Sequence, residues 1–152
     1  MSRSHKGRYS PRNPGKYRGD HTMIEYRSSW ERMFMKWCDL REEVLKWSSE
    51  EMCIWYMDPI TKKNRRYFPD FIIQVKDSDG LIRTEMIEVK PYKQMVGPDR
   101  NPARKTKAWI YEVKTYATNM AKWEAANAYA KQNKLRFRVV SEEQLFHNGK
   151  RK

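Results

Sequence analysis

Two ten-residue segments, Tyr67 to Lys76 and Leu81 to Lys90, flank the turn Asp77-Ser78-Asp79-Gly80, and this unit constrains the chain more than any other. Phe71, Ile73 and Val75 alternate along the first segment, a period of two that fits a strand and not a helix. The Asp- and Gly-rich turn permits a tight reversal. Pro91 ends the return strand, because proline has no N–H to give to a sheet ladder. An antiparallel hairpin here sets the middle of a sheet, and the other elements must pack on it.

Upstream, Ser28-Ser29-Trp30-Glu31 reads as a capping box at a helix start. Trp30, Met33, Phe34, Trp37 and Cys38 then recur at helical spacing as one apolar face. On that reading Glu31 borders the stripe, while Arg32, Lys36 and Asp39 face away. Met52 to Met57 is the longest unbroken apolar run and reads as a buried first strand. A turn near Asp58-Pro59 follows, then a basic stretch. Tyr92 to Lys105 is a basic loop, long enough to be functional. Thr106 to Asn133 is helical, with a break expected at Thr118-Asn119, and Phe137 to Val140 is a short last strand. The expected fold class is α/β: an αβββαβ core, with a small mixed sheet flanked by helices.

Charge divides the chain further. There are 32 Lys and Arg against 19 Asp and Glu, a net charge of +13. Residues 1–20 carry Met1, Tyr9 and Tyr17 as their apolar residues amid Arg, Lys, Pro and Gly, an extended basic arm. Such an arm is either a solvated tail or a segment that follows phosphates or docks on a partner. The expected division is arm 1–20, folded domain 21–146 and basic tail 147–152. An aromatic content of 13% requires that much of the chain fold. The six-residue apolar run is far short of the roughly 20 residues of a membrane span. Cys38, Cys53 and the scattered histidines match neither a disulfide framework nor a zinc site. The expected class is a soluble, reduced, intracellular protein drawn to polyanions, with no membrane partner.

The residues with chemical potential are Pro69-Asp70 on one strand of the hairpin and Glu88-Val89-Lys90 at the end of the other. Residues i and i+2 on a strand share a face, so Glu88 and Lys90 point together, and Asp70 can reach them if the register allows. Two carboxylates suit Mg²⁺, which keeps waters and takes substrate phosphate oxygens. Such an ion activates water and neutralises a phosphodiester. The lysine can orient or deprotonate that water, or stabilise the charge of the phosphorane. The plainer alternative is a surface hairpin with an ordinary ion pair among these residues.

Tyr26-Arg27-Ser28-Ser29-Trp30-Glu31, Trp47-Ser48-Ser49-Glu50-Glu51, Arg66-Tyr67-Phe68-Pro69-Asp70-Phe71 and Ile87-Glu88-Val89-Lys90-Pro91 extend the motif. The Pro69-Asp70 and Glu88-Val89-Lys90 motif with the element order resembles the PD-(D/E)XK nuclease superfamily, and these segments with Asn119, Lys122 and Trp123 extend a closer resemblance over residues 17–145. Within the superfamily that closer resemblance is to the head-completion nucleases of T-even-type tailed phages, and more weakly to TnsA-like transposon-end endonucleases. It implies a restriction-endonuclease-like core in which Asp70 and Glu88 hold the metal and Lys90 serves the water or the scissile phosphate. Glu31 matches a helix-borne acid that many members add to the metal cluster, although the capping box alone would also account for it. Glu50 or Glu51 is either a further acid near the site or an ordinary exposed one.

The resemblance further implies a Mg²⁺-dependent endo- or exonuclease, with Mn²⁺ substituting, that processes packaged DNA before heads join tails. Its partners would be DNA and the phage head or portal and neck proteins, and its place the host cytoplasm or the phage head. Arg27, Lys62, Arg65, Arg66, Lys93 and Lys122 are the candidate DNA contacts, sequence-independent and salt-sensitive. Two competing functions remain on this reading. One is a non-catalytic DNA- or portal-binding completion factor; the other is a repair or junction-resolving nuclease.

Overall fold

The computed structural model describes residues 6–145; the first five residues of the arm and the expected tail, 147–152, lie outside them. The chain begins as β1 (Gly7–Arg8), a 3₁₀ turn at Pro14–Lys16 and β2 (Glu25–Tyr26), with β1 and β2 antiparallel. The described part of the arm is extended, but it lies on its own domain. Tyr17 is buried with its ring 4.8 Å from that of Trp47, edge to face.

Helix α1 (Ser29–Leu40) starts where the capping box places it. The Ser28 hydroxyl accepts the Glu31 N–H at 3.1 Å, while the Glu31 carboxylate accepts from the Arg27 N–H rather than from Ser28. The buried residues of α1 are Phe34, Met35, Cys38 and Asp39, so its inward face is rotated from the expected stripe. Asp39 was expected to face away and instead is fully buried. The cause is the arm, which crosses this side of the helix. The Tyr9 hydroxyl and the Arg12 and Asn13 N–H groups donate to the Asp39 carboxylate at 2.7, 2.7 and 2.9 Å. Charge-assisted bonds of this kind offset the cost of burying a carboxylate.

The next strands are β3 (Val44–Ser49), β4 (Ile54–Met57), β5 (Asn64–Tyr67), β6 (Phe71–Lys76) and β7 (Ile82–Val89). They are followed by α2 (Tyr92–Val96), α3 (Lys107–Gln132) and β8 (Arg136–Val140). The main sheet has the order β3-β6-β7-β8, antiparallel except for the parallel pair β7–β8. Its core order is αβββαβ, but its first strand is Val44–Ser49 and not Met52–Met57. The latter segment supplies β4, which pairs with β5 as a separate two-stranded ribbon. A bulge between Val44 and Lys46 explains why β3 escapes a reading by alternation. It sets the buried Val44 and Trp47 three residues apart instead of two.

The expected strand Tyr67 to Lys76 is interrupted after Tyr67 and resumes at Phe71, leaving Phe68, Pro69 and Asp70 as a bend. The Asp77–Gly80 turn forms as expected, with Gly80 at φ 87°, a conformation natural to glycine. Helix α3 runs unbroken through Thr118 and Asn119, capped by the Thr106 hydroxyl accepting from Trp109 N–H. Side chains alternate across the sheet. Phe71, Ile73 and Ile87 pack with Phe34, Met35 and Trp47 on the α1 face. Met86 packs on the other face with Trp123 and Ala126 of α3 and with Ile54, Tyr56 and Tyr67 of the ribbon. The result is a mixed α/β sheet covered by α1 and the arm on one side and by α3 and the ribbon on the other. Among the described residues no helix is long and apolar enough to cross a membrane.

Candidate active site

The bend before β6 and the end of β7 bring the two carboxylates together. Phe71 pairs with Ile87, so one step further along the antiparallel register sets Asp70 opposite Glu88. Each acid is held by its own donor. Asp70 Oδ2 accepts the Val89 N–H at 2.8 Å, and Glu88 Oε1 accepts the Tyr67 hydroxyl at 2.7 Å. Lys90 Nζ stands 3.8 Å from Glu88 Oε2, and its backbone N–H bonds Val140 on β8 at 2.9 Å. From the opposite side, the Glu50 N–H bonds the Asp70 carbonyl at 3.0 Å, tying the end of β3 to the same point.

Electrostatics follow from this enclosure. Burial pushes the Asp70 carboxyl well up, and the Glu88 and Glu31 charges add to it, against the Val89 N–H and Lys90. Burial also raises Glu88, opposed by the Tyr67 hydroxyl, Lys90 and Lys122. Glu31, half-buried at the start of α1, is raised by burial and by Glu50, against the Arg27 N–H bond and the Arg27 and Lys90 charges. Lys122 is lowered by burial and by Lys90, while Glu88 favours its charge. Its Nζ lies 5.8 and 5.7 Å from the ring centroids of Tyr56 and Tyr67, within cation–π range. Carboxyls that repel one another in a poorly solvated corner gain from a divalent cation between them.

The donor set fits such an ion in one respect and limits it in another. Asp70 and Glu88 are hard oxygen donors, each with one oxygen engaged by a hydrogen bond. Among the described residues no three metal-ligating side chains gather closely enough to hold an ion by themselves. A divalent cation held there would complete its shell with water or phosphate oxygens.

The structure thus groups Asp70, Glu88 and Lys90, with Glu31 in electrostatic reach of Asp70 and Lys90. Arg27 joins this edge through a 2.7 Å ion pair with Glu50. Lys122 lies on the α3 side. Arg65 is tied to Asp58 at 2.9 Å, while Lys62 on the β4–β5 turn, Arg66 on β5 and Lys93 on α2 are exposed, with no ion pair to the three grouped residues among the described ones. Glu124 is exposed on α3 and forms no part of this grouping. Sequence reasoning missed the part of Tyr67. It sits three residues before Asp70, but only the register of ribbon against sheet aims its hydroxyl at Glu88.

Comparison with known proteins gives the family. The chain is 38% identical over 146 residues to the head completion nuclease of Enterobacteria phage T4, spanning 93% of this chain and 94% of that protein. Residues 41–142 match the family model described as TnsA-like endonuclease N terminal. That match runs from β3 through Asp70, β7 and α3 to β8, and with it the chain belongs to the TnsA-like endonuclease family.

Proposed function

We propose that this protein is a metal-dependent deoxyribonuclease of the PD-(D/E)XK type that processes packaged DNA during phage head completion and head–tail joining. Its family makes it a DNA-cleaving hydrolase. The T4 relative's name supports a nuclease role in head completion. Mg²⁺ is the expected cofactor, with Mn²⁺ substituting. The observation that carries the chemistry is the pairing of half-buried Asp70 with buried Glu88, each acid pinned by one donor, with the Lys90 ammonium 3.8 Å from Glu88.

Asp70 and Glu88, assisted by Glu31, would hold the ion, which supplies Lewis acidity toward water and the phosphodiester when bound. The Val89 N–H and the Tyr67 hydroxyl keep the two carboxylates from rotating away. Lys90 Nζ orients or deprotonates the attacking water, or meets the charge that develops on phosphorus-bound oxygens. Arg27, Lys62, Arg65, Arg66, Lys93 and Lys122 hold the DNA backbone. The protein acts in the host cytoplasm at the phage head, beside portal or neck proteins.

The test is cleavage of supercoiled and linear DNA with Mg²⁺, Mn²⁺ or EDTA by wild type, Asp70→Ala and Lys90→Ala. Metal-dependent cutting is expected, falling by about 10²-fold or more in each variant. Undiminished cutting by Asp70→Ala would remove the site. Binding without cutting in all three, with head–tail joining rescued by Asp70→Ala, would make the chain a structural completion factor.

A further inference from the structure

The β4–β5 ribbon is inserted between the first and second strands of the main sheet, and its two faces differ sharply. Ile54, Tyr56 and Tyr67 on the inner face are buried against α3 and the sheet. On the outer face Trp55 is 63% exposed and Met57 53%. Trp55 pairs across the ribbon with Arg66, whose guanidinium lies 5.9 Å from the centroid of the Phe68 ring. Phe68 is itself 42% exposed and stands two residues before Asp70. The turn that joins the strands is braced by Asp58, whose carboxylate accepts from the Ile60 N–H and Arg65 Nε, both at 2.9 Å. Lys62 and Lys63 are exposed on that turn. The ribbon is therefore anchored through one face, and on the other it offers Trp55 and Phe68 with Arg66 beside both, and Lys62 and Lys63 at its turn.

Neither half of that surface is explained by folding. Exposed large apolar side chains grouped on a surface mark a binding site, and the cations beside them select a polyanion. Aromatic rings interleaved with Lys and Arg suit a nucleic acid strand whose bases are free to stack while its phosphates meet the charges. A continuous duplex keeps its base faces covered and cannot use the rings in this way.

We propose that the outer face of the ribbon is a base-stacking platform. Trp55 and Phe68 receive unpaired bases, Arg66, Lys62 and Lys63 hold the strand's phosphates, and the strand leads from Phe68 to Asp70. The preferred substrate is DNA with unpaired nucleotides beside the scissile bond, such as a frayed or overhanging end, a gap or a flap. Stacking accepts every base, so the preference is for strand state and not for sequence. This inference rests on DNA being the substrate of the site described above.

The platform is tested by binding in EDTA, where no cleavage occurs. Wild type, Trp55→Ala, Trp55→Phe and the double variant Trp55→Ala/Phe68→Ala are titrated against a blunt duplex and the same duplex with a short overhang carrying 2-aminopurine. Circular dichroism and thermal melting establish that the variants fold. Wild type is expected to favour the overhang and to quench the 2-aminopurine. Trp55→Ala is expected to weaken overhang binding roughly tenfold and lose the quenching, with blunt-duplex binding unchanged and Trp55→Phe intermediate. Equal wild-type affinity for the two DNAs, or a Trp55→Ala variant that still quenches, overturns the platform. So does unaltered DNA binding combined with lost binding to filled heads, which would make the face a protein-docking surface. Asp70→Ala keeps the quenching if the platform is right. Quenching without cleavage in any metal would therefore refute the nuclease reading alone, and cleavage without quenching would refute the platform alone.

Discussion

Tyr67 is the residue in which most of the site's constraints meet. Its ring is buried between the sheet and α3, it faces the Lys122 ammonium, and its hydroxyl supplies the bond that fixes Glu88 Oε1. Burial, and then the Glu88 charge, push the phenol far above its usual range, so it stays a donor at any working pH. Tyr67→Phe keeps the ring and deletes only that donor. The fold should lose about 1 kcal/mol, since one hydrogen bond is removed and the packing is kept. Cleavage should suffer more: in the proposed function Glu88 holds the metal, and a ligating carboxylate that loses its partner typically costs roughly 10- to 100-fold in metal affinity or activity. The measurement is the Mg²⁺ concentration giving half-maximal cleavage, expected to rise about tenfold. An unchanged Mg²⁺ dependence would mean that Glu88 does not need the phenol.

Among the elements, the arm and α1 are joined through Asp39, and the joint is sensitive to acid. Burial pushes the Asp39 carboxyl up, but the Arg12 N–H, the Tyr9 hydroxyl, the Asn13 N–H and the Lys16 charge outweigh it and hold the group below its ordinary 3.8. A depressed carboxyl contributes stability that is fully present above its ordinary value and is lost as pH falls through the folded value. Asp39→Asn should therefore cost about 2 kcal/mol near neutral pH. The melting-temperature gap from wild type should close as pH drops below 3.8. A gap that persists unchanged in acid would show that the charge is not what holds the arm. The same joint explains why the face of α1 was misread: periodicity within a helix says nothing of a second segment laid across its polar side. By contrast β6 and β7 were legible, because alternation and an Asp/Gly turn are local signals. β3 was hidden by its bulge, and the break after Tyr67 by the apolar Tyr67-Phe68 and Phe71-Ile72-Ile73 that flank Pro69-Asp70 and read as one strand. Asp70, Glu88 and Lys90 could be read from spacing once two neighbouring strands were assigned. The Tyr67–Glu88 bond could not, because it depends on how the ribbon docks on the sheet.

The whole molecule carries a net charge of +13, and most of its Lys and Arg side chains are exposed among the described residues. DNA affinity should therefore fall steeply with salt, each neutralised phosphate adding about 0.9 to the slope of log K against log salt. The triple variant Lys62→Ala/Lys63→Ala/Arg66→Ala should lower that slope by roughly two to three, as read by fluorescence anisotropy across a salt series. Weaker binding with an unaltered slope would place the phosphates elsewhere. The ribbon that carries these cations has a consequence for how such a protein can diversify. Its two-residue period separates positions that the interior holds in place, Ile54, Tyr56 and Tyr67, from positions that only the surroundings test, Trp55, Met57 and Arg66. Ancestral lines could exchange the outer set, and with it the strand or particle that the enzyme grips, while inheriting the cutting machinery unaltered.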